Sequence, residues 1–214
     1  GDTAEATVDV SSPEFCASMG FNGSSDWADV PDLALSNSSW TFEAWMDFDW
    51  TNSSGFFYAS NCHLLQFNPN GNLYAQTFPN CNGTSTKYIT GLDGADFTHL
   101  PSGWQHFAAV SDGTNTTTFY INGIPFGTAS ATYDSGVNNV YNGGLAARTK
   151  NGTAEGFLEV GYYAVRISDT ERYEGAFTPE EDLQADGDTV LLYTFEDSST
   201  SITDQSGNGF DGSL

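Results

Sequence analysis

The stretch GWQHFAAVSDGTNTTTFYINGIPFGTA, residues 103–129, limits what this chain can fold into more than any other. Trp104, His106, Ala108 and Val110 alternate with Gln105, Phe107 and Ala109, so both sides of an extended chain carry apolar groups. Such a strand belongs inside a stack of sheets. A polar turn at 111–115 follows, then a β-branched and aromatic run at 116–121. The dipeptide Asn122-Gly123 supplies two positive φ angles, which predicts a tight hairpin returning through 124–129.

The same period of two recurs elsewhere. In SWTFEAWMDFDW, Phe42, Ala44, Met46 and Phe48 share one face, with Glu43, Trp45, Asp47 and Asp49 largely on the other. Phe15, Ala17, Met19 and Phe21 alternate inward before a turn at Asn22-Gly23. Further short strands are predicted at 55–60, 63–67, 73–78 and 87–90, and one near 144–148 within a loop-rich stretch at 130–156. Helical patterning is confined to 170–183, where Thr178, Pro179 and Glu181 predict a single capped turn. Sixteen Phe, ten Tyr and five Trp are enough to fill the space between two sheets. The expected fold is therefore an all-β, antiparallel two-sheet sandwich forming one domain over 13–214. Residues 1–12, with Thr3, Glu5, Thr7 and Asp9 alternating against Ala4, Ala6, Val8 and Val10, read as an extra edge strand for this sheet or a neighbour's.

Several motifs together resemble the laminin-G-like, concanavalin-type jelly rolls. They are Trp104-x-His106 followed by Tyr120-Ile121-Asn122-Gly123; Phe21 to Gly23 followed by Asp26-Trp27; Phe42-Glu43-Ala44-Trp45; Val165-Arg166-Ile167; and the terminal DQSGNG at 204–209. The resemblance spans about 13–214. It implies a jelly-roll topology with the first and last strands adjacent, structural roles for Glu43, Trp45 and His106, and a function among lectins, adhesins, enzymes and structural modules. The family's acidic pair before Val-Arg-Ile is replaced here by Tyr163-Ala164.

Charge excludes one partner class. With five Lys and Arg against 28 Asp and Glu, a net charge of −23 repels a phosphate backbone, so nucleic acid is not expected. No run of about 20 apolar residues marks a membrane span. A start at Gly1 reads as a secreted chain whose signal peptide has been removed, although an engineered start would read the same. Cys62 and Cys81 flank a segment that folds back at 68–71, which predicts a disulfide and leaves Cys16 as a buried hydrophobe or a link to another chain. Sequons at Asn37, Asn52, Asn82, Asn115 and Asn151 fall in predicted turns suited to glycosylation; a sixth, at Asn22, is in a turn expected to be buried.

For chemistry, Glu43, Asp47 and Asp49 have the alternate spacing a glycosidase uses, but not the tight carboxylate cluster of the jelly-roll glucanases, and no catalytic residue is assigned. His63, His99 and His106 lack zinc spacing. Calcium is the metal expectation: Asp204 and Asn208 in one turn, Asn22 and Asp26 in another, joined if the terminal loops meet. Trp27, Trp50 and Tyr141, near turns, are the candidates for stacking on a sugar ring. The reading is a secreted, non-enzymatic recognition or adhesion module for glycans or for cell-surface and matrix proteins. The alternative is a glycosylated subunit that joins copies of itself into an extracellular filament through residues 1–12.

Overall fold

Alternating apolar residues put one face of each strand into a shared interior, and the turns between them set the topology. The structure is a computed structural model. It describes residues 15, 17–33, 35, 39–51, 53–68, 72–78, 81, 84–93, 95–138, 141–195 and 200–214, with backbone alone at 84–88, 133–138 and 141. The expected edge strand at 1–12, Cys16, Asn37, Asn52 and Asn82 lie outside the described residues.

In chain order the strands are β1 (Met19–Asn22), β2 (Ala28–Asp29), β3 (Trp40–Asp47), β4 (Gly55–Ala59), β5 (His63–Asn68) and β6 (Asn72–Thr77). Next come β7 (Thr84–Leu92), β8 (Trp104–Ser111), β9 (Thr116–Ile121), β10 (Ile124–Asn138), β11 (Tyr141–Asn142) and β12 (Gly144–Leu145). The chain ends with β13 (Arg148–Lys150), β14 (Thr153–Glu155), β15 (Glu159–Ser168), β16 (Thr189–Thr194), β17 (Ser201–Ile202) and β18 (Gly212–Ser213). The first layer runs β15-β3-β8-β9-β10, with β1 and β16 sharing the outer edge of β15. The second runs β10-β7-β6-β5-β4-β12-β2-β18-β17. Strand β10 belongs to both: its residues 124–130 pair with β9, and from Ala131 it pairs with β7. Every pairing is antiparallel, as the all-β jelly roll requires.

Phe42, Phe107 and Phe119 from the first layer meet Phe57, Phe67 and Leu73 from the second in one core. Phe57 and Phe107 approach to 5.1 Å between ring centroids, and Phe42 stacks on Tyr58 at 5.8 Å. The Asn122-Gly123 hairpin forms as expected, with φ of 50° and 74°. A side chain at position 123 would collide with the Phe177 carbonyl oxygen, so the glycine also allows a close approach. The Cys62–Cys81 disulfide is present, closing the β5-β6 hairpin.

Three of these expectations fail. The stretch 130–156, read as loops with one short strand, is largely strand: β10 runs on to Asn138, and β11 to β14 follow. Residues 170–183 form no helix; they belong to an irregular strap, 169–188, laid across the outer face of the first layer. Phe15 does not point inward with Met19 and Phe21. It packs outside, stacked on Tyr163 at 3.8 Å and edge-on to Trp45 and Trp104.

Beneath the strap, Glu43 is fully buried. One carboxylate oxygen accepts from Arg166 Nε at 2.8 Å, and the other accepts from Tyr173 Oη at 2.7 Å and meets His106 Nε2 at 3.1 Å. Arg166 of β15 also donates to Glu180 and to the Gln184 carbonyl, tying sheet to strap; Arg172, on the strap itself, forks onto Asp186 at the strap's far end and donates to Ser168 Oγ of β15 and Thr189 Oγ1 of β16. Tyr173 and Phe177 stack on each other, with Phe177 edge-on to His106 and Tyr120. Burial alone would raise the Glu43 carboxyl; the His106 and Arg166 interactions outweigh it and pull it down to about 2.

Glu43→Gln should cost about 3 kcal/mol, since it removes the buried counter-charge of Arg166 and leaves only the exposed Glu180 carboxylate to face it, measured as a shift in urea midpoint at neutral pH. The folded value lies below the ordinary 4.5, so this stabilisation is complete above about pH 4.5 and is lost as pH falls toward 2. The gap between wild type and Glu43→Gln should close over that interval.

Candidate functional site

The strap and Phe15 leave one end of the first layer's outer face bare. There the cross-strand register places Gly20 of β1 beside Gly161 of β15, Gly161 beside Asp47 of β3, and Asp47 beside Trp104 of β8. Two adjacent glycines next to a tryptophan make a step in the surface. A Cβ added at Gly20 would meet nothing within 4 Å, and one at Gly161 would only touch Asp47 and the Trp104 ring at 3.5 Å. The result is an open cleft of about 580 Å³, its walls carrying Asn22, Asp26, Asp47, Asp49, Trp104 and Glu159. Glu159 is placed by its pairing with Asn22 across β1 and β15.

The rim is held by local hydrogen bonds. Asn22 Oδ1 accepts from the backbone N–H groups of Ser24, Ser25 and Asp26 at 2.9, 2.9 and 3.2 Å, a side-chain-closed turn that brings Asp26 to the cleft. Asp49 Oδ1 accepts from the backbone and the hydroxyl of Thr51, fixing the opposite rim. Such a cleft can do one thing well: accept hydrogen bonds from hydroxyl groups on carboxylate oxygens while an aromatic ring covers an apolar flank.

The residues singled out from the sequence are divided by the fold. Asn22, Asp26, Asp47 and Asp49 come together in the cleft, although the sequence reading had separated them into a metal pair and a carboxylate set. Glu43, the third member of that set, is sealed under the strap. Trp27 lies in a smaller neighbouring hollow of about 280 Å³ that shares Asp26. Trp50 cannot stack on a sugar: it is buried among Phe48, Phe57, Phe67, Phe97 and Phe107, because the turn after β3 folds back over the interior. Tyr141 sits in β11, paired with Lys150, and its ring is outside the described portion. Asn115 and Asn151 both occupy exposed turns. Gly20, Gly161, Trp104 and Glu159 were missed as site residues. The available signal was an isolated glycine inside a strand pattern, which marks an open or closely approached face.

The two loops expected to share calcium do different work. Asp204 accepts from Leu192 N and Ser206 N on one oxygen and from Ser206 Oγ and Phe210 N on the other. Burial opposes its charge, but the hydrogen bonds from Ser206, Leu192 and Phe210 hold it below the usual carboxylate range. Gln205 N donates to the Leu192 carbonyl, and Asn208 Nδ2 donates to the carbonyls of Thr189 and Val190. The motif is thus a cap on the free edge of β16. Among the described residues, no group of three or more His, Cys, Asp or Glu is placed to hold a metal ion.

A family model, Laminin_G_3 of the concanavalin A-like lectin/glucanases superfamily, matches residues 22–181. No curated protein sequence matches the chain. Among solved structures, a candidate carbohydrate binding protein from Bacteroides ovatus superposes with a TM-score of 0.62 at 18% identity, covering 92% of this chain and 58% of that one. A mutant of the NanB sialidase from Streptococcus pneumoniae gives 0.50 at 15%, covering 74% of this chain and 26% of that one. The CBM40 of Ruminococcus gnavus IT-sialidase, bound to α2,3 sialyllactose, gives 0.48 at 12%, covering 74% and 92%. This chain therefore spans little more than half of the first of these proteins and about a quarter of the second.

Asp204→Ala should lower unfolding stability by about 1–3 kcal/mol by leaving buried N–H groups without an acceptor. The loss should be the same with calcium or with chelator in the buffer, read by thermal melts in each.

Proposed function

The chain belongs to the concanavalin A-like lectin/glucanase superfamily, and from that premise we propose that it is a secreted, non-enzymatic carbohydrate-binding module whose ligand sits in the glycine-floored cleft. The observation carrying this is the Gly20–Gly161 pair beside Trp104 and Asp47: a sugar ring presents one apolar flank and a fringe of hydroxyls, and the cleft offers an indole wall and several carboxylate acceptors. The Bacteroides ovatus protein, a candidate carbohydrate binding protein on the same fold, supports the class of ligand. The Cys62–Cys81 disulfide supports an oxidising compartment. Against hydrolysis stands the burial of Glu43, which removes one carboxylate of the three at catalytic spacing.

Gly20 has no positive φ and open space above it, so Gly20→Leu should fill the cleft without straining β1. On a glycan array the wild-type chain should bind a defined set of oligosaccharides. Gly20→Leu should lose that binding at least tenfold while keeping the wild-type melting temperature. An array blank for wild type, or the same hits with the variant, removes this reading.

A further inference from the structure

Resting on that reading, we propose that the cleft selects uncharged or amine-bearing sugars and rejects carboxylated ones such as sialic or uronic acids. Its walls carry Asp26, Asp47, Asp49 and Glu159, and among the described residues no Lys, Arg or His lines it. A sugar carboxylate entering there would face like charges at close range with no guanidinium or ammonium to receive it.

Nor do the Lys and Arg side chains elsewhere supply one. It has five Lys and Arg in 214 residues. Arg166, beneath the strap, is held by Glu43 and Glu180, and Arg172, on the strap, by Asp186. Arg148 is bonded to Glu155 and lies over the Phe56 ring at 4.5 Å. Lys87 and Lys150 belong to β7 and β13, strands that do not border the cleft. The net charge of −23 adds a long-range field of the same sign. An ammonium group gains from every one of these terms, and a neutral hydroxyl fringe is indifferent to them. The resulting order is amine-bearing, then neutral, then carboxylated.

The test is an array of matched glycans, each neutral oligosaccharide printed beside its sialylated and its de-N-acetylated form, read with wild type, Gly20→Leu and the Asp47→Asn/Glu159→Gln double variant. In low salt the carboxylated member of each bound set should be at least tenfold weaker than its neutral parent, and the amine-bearing member tighter. Raising ionic strength from 0.01 M to 1 M shortens the screening length from about 30 Å to about 3 Å. That should compress the spread, as should the double variant, whereas exclusion by shape would be unmoved by salt. Carboxylated glycans bound as tightly as their parents, with binding lost in Gly20→Leu, would overturn the charge selection and leave the cleft as the sugar site. No binding that Gly20→Leu removes would overturn both.

Discussion

Glu43 is the buried charge around which the outer half of the first layer is organised. A carboxylate with no exposure to water must be matched on all sides. Arg166, Tyr173 and His106 do this from two strands and the strap. The consequence reaches past local stability. Because the partners come from residues distant in sequence, they fix where the strap lies, and the strap decides which part of the sheet face is closed. What it leaves uncovered is the glycine step that forms the cleft. A buried ion-pair network and an open site on the same face are thus two outcomes of one placement.

The layered fold was legible because its signal is repeated: alternation in 103–111, in 40–48 and across the Asn122-Gly123 hairpin reports the same geometry several times over. The strap was not. Thr178-Pro179-x-Glu181 carries local helix chemistry, but Tyr173, Phe177, Glu180 and Leu183 face the sheet at spacings set by that surface, and tertiary contacts override a one-turn propensity. Trp50 misled for a related reason, since a residue beside a turn in sequence can still be the one that plugs the core.

The site was half legible. Asn22, Asp26, Asp47 and Asp49 stood out as polar groups at turns, yet nothing in a linear reading says that the ends of β1, β3 and β15 abut. DQSGNG is the opposite case. Asp, Asn, Ser and Gly suit both a cation and a turn, and only the hydrogen-bond partners of Asp204 and Asn208 show that groups of β16 and of the loop itself take up their polar atoms. With so few cations in the chain, and Arg166 and Arg172 both committed to carboxylates, acidic groups are left in large excess.

Strand β10 passes from one layer into the other without a break in pairing. A force tending to peel the layers apart would therefore travel along peptide bonds on that side of the molecule before it reached the aromatic packing. That continuity acts as a covalent seam, holding the two halves in step while load is transmitted.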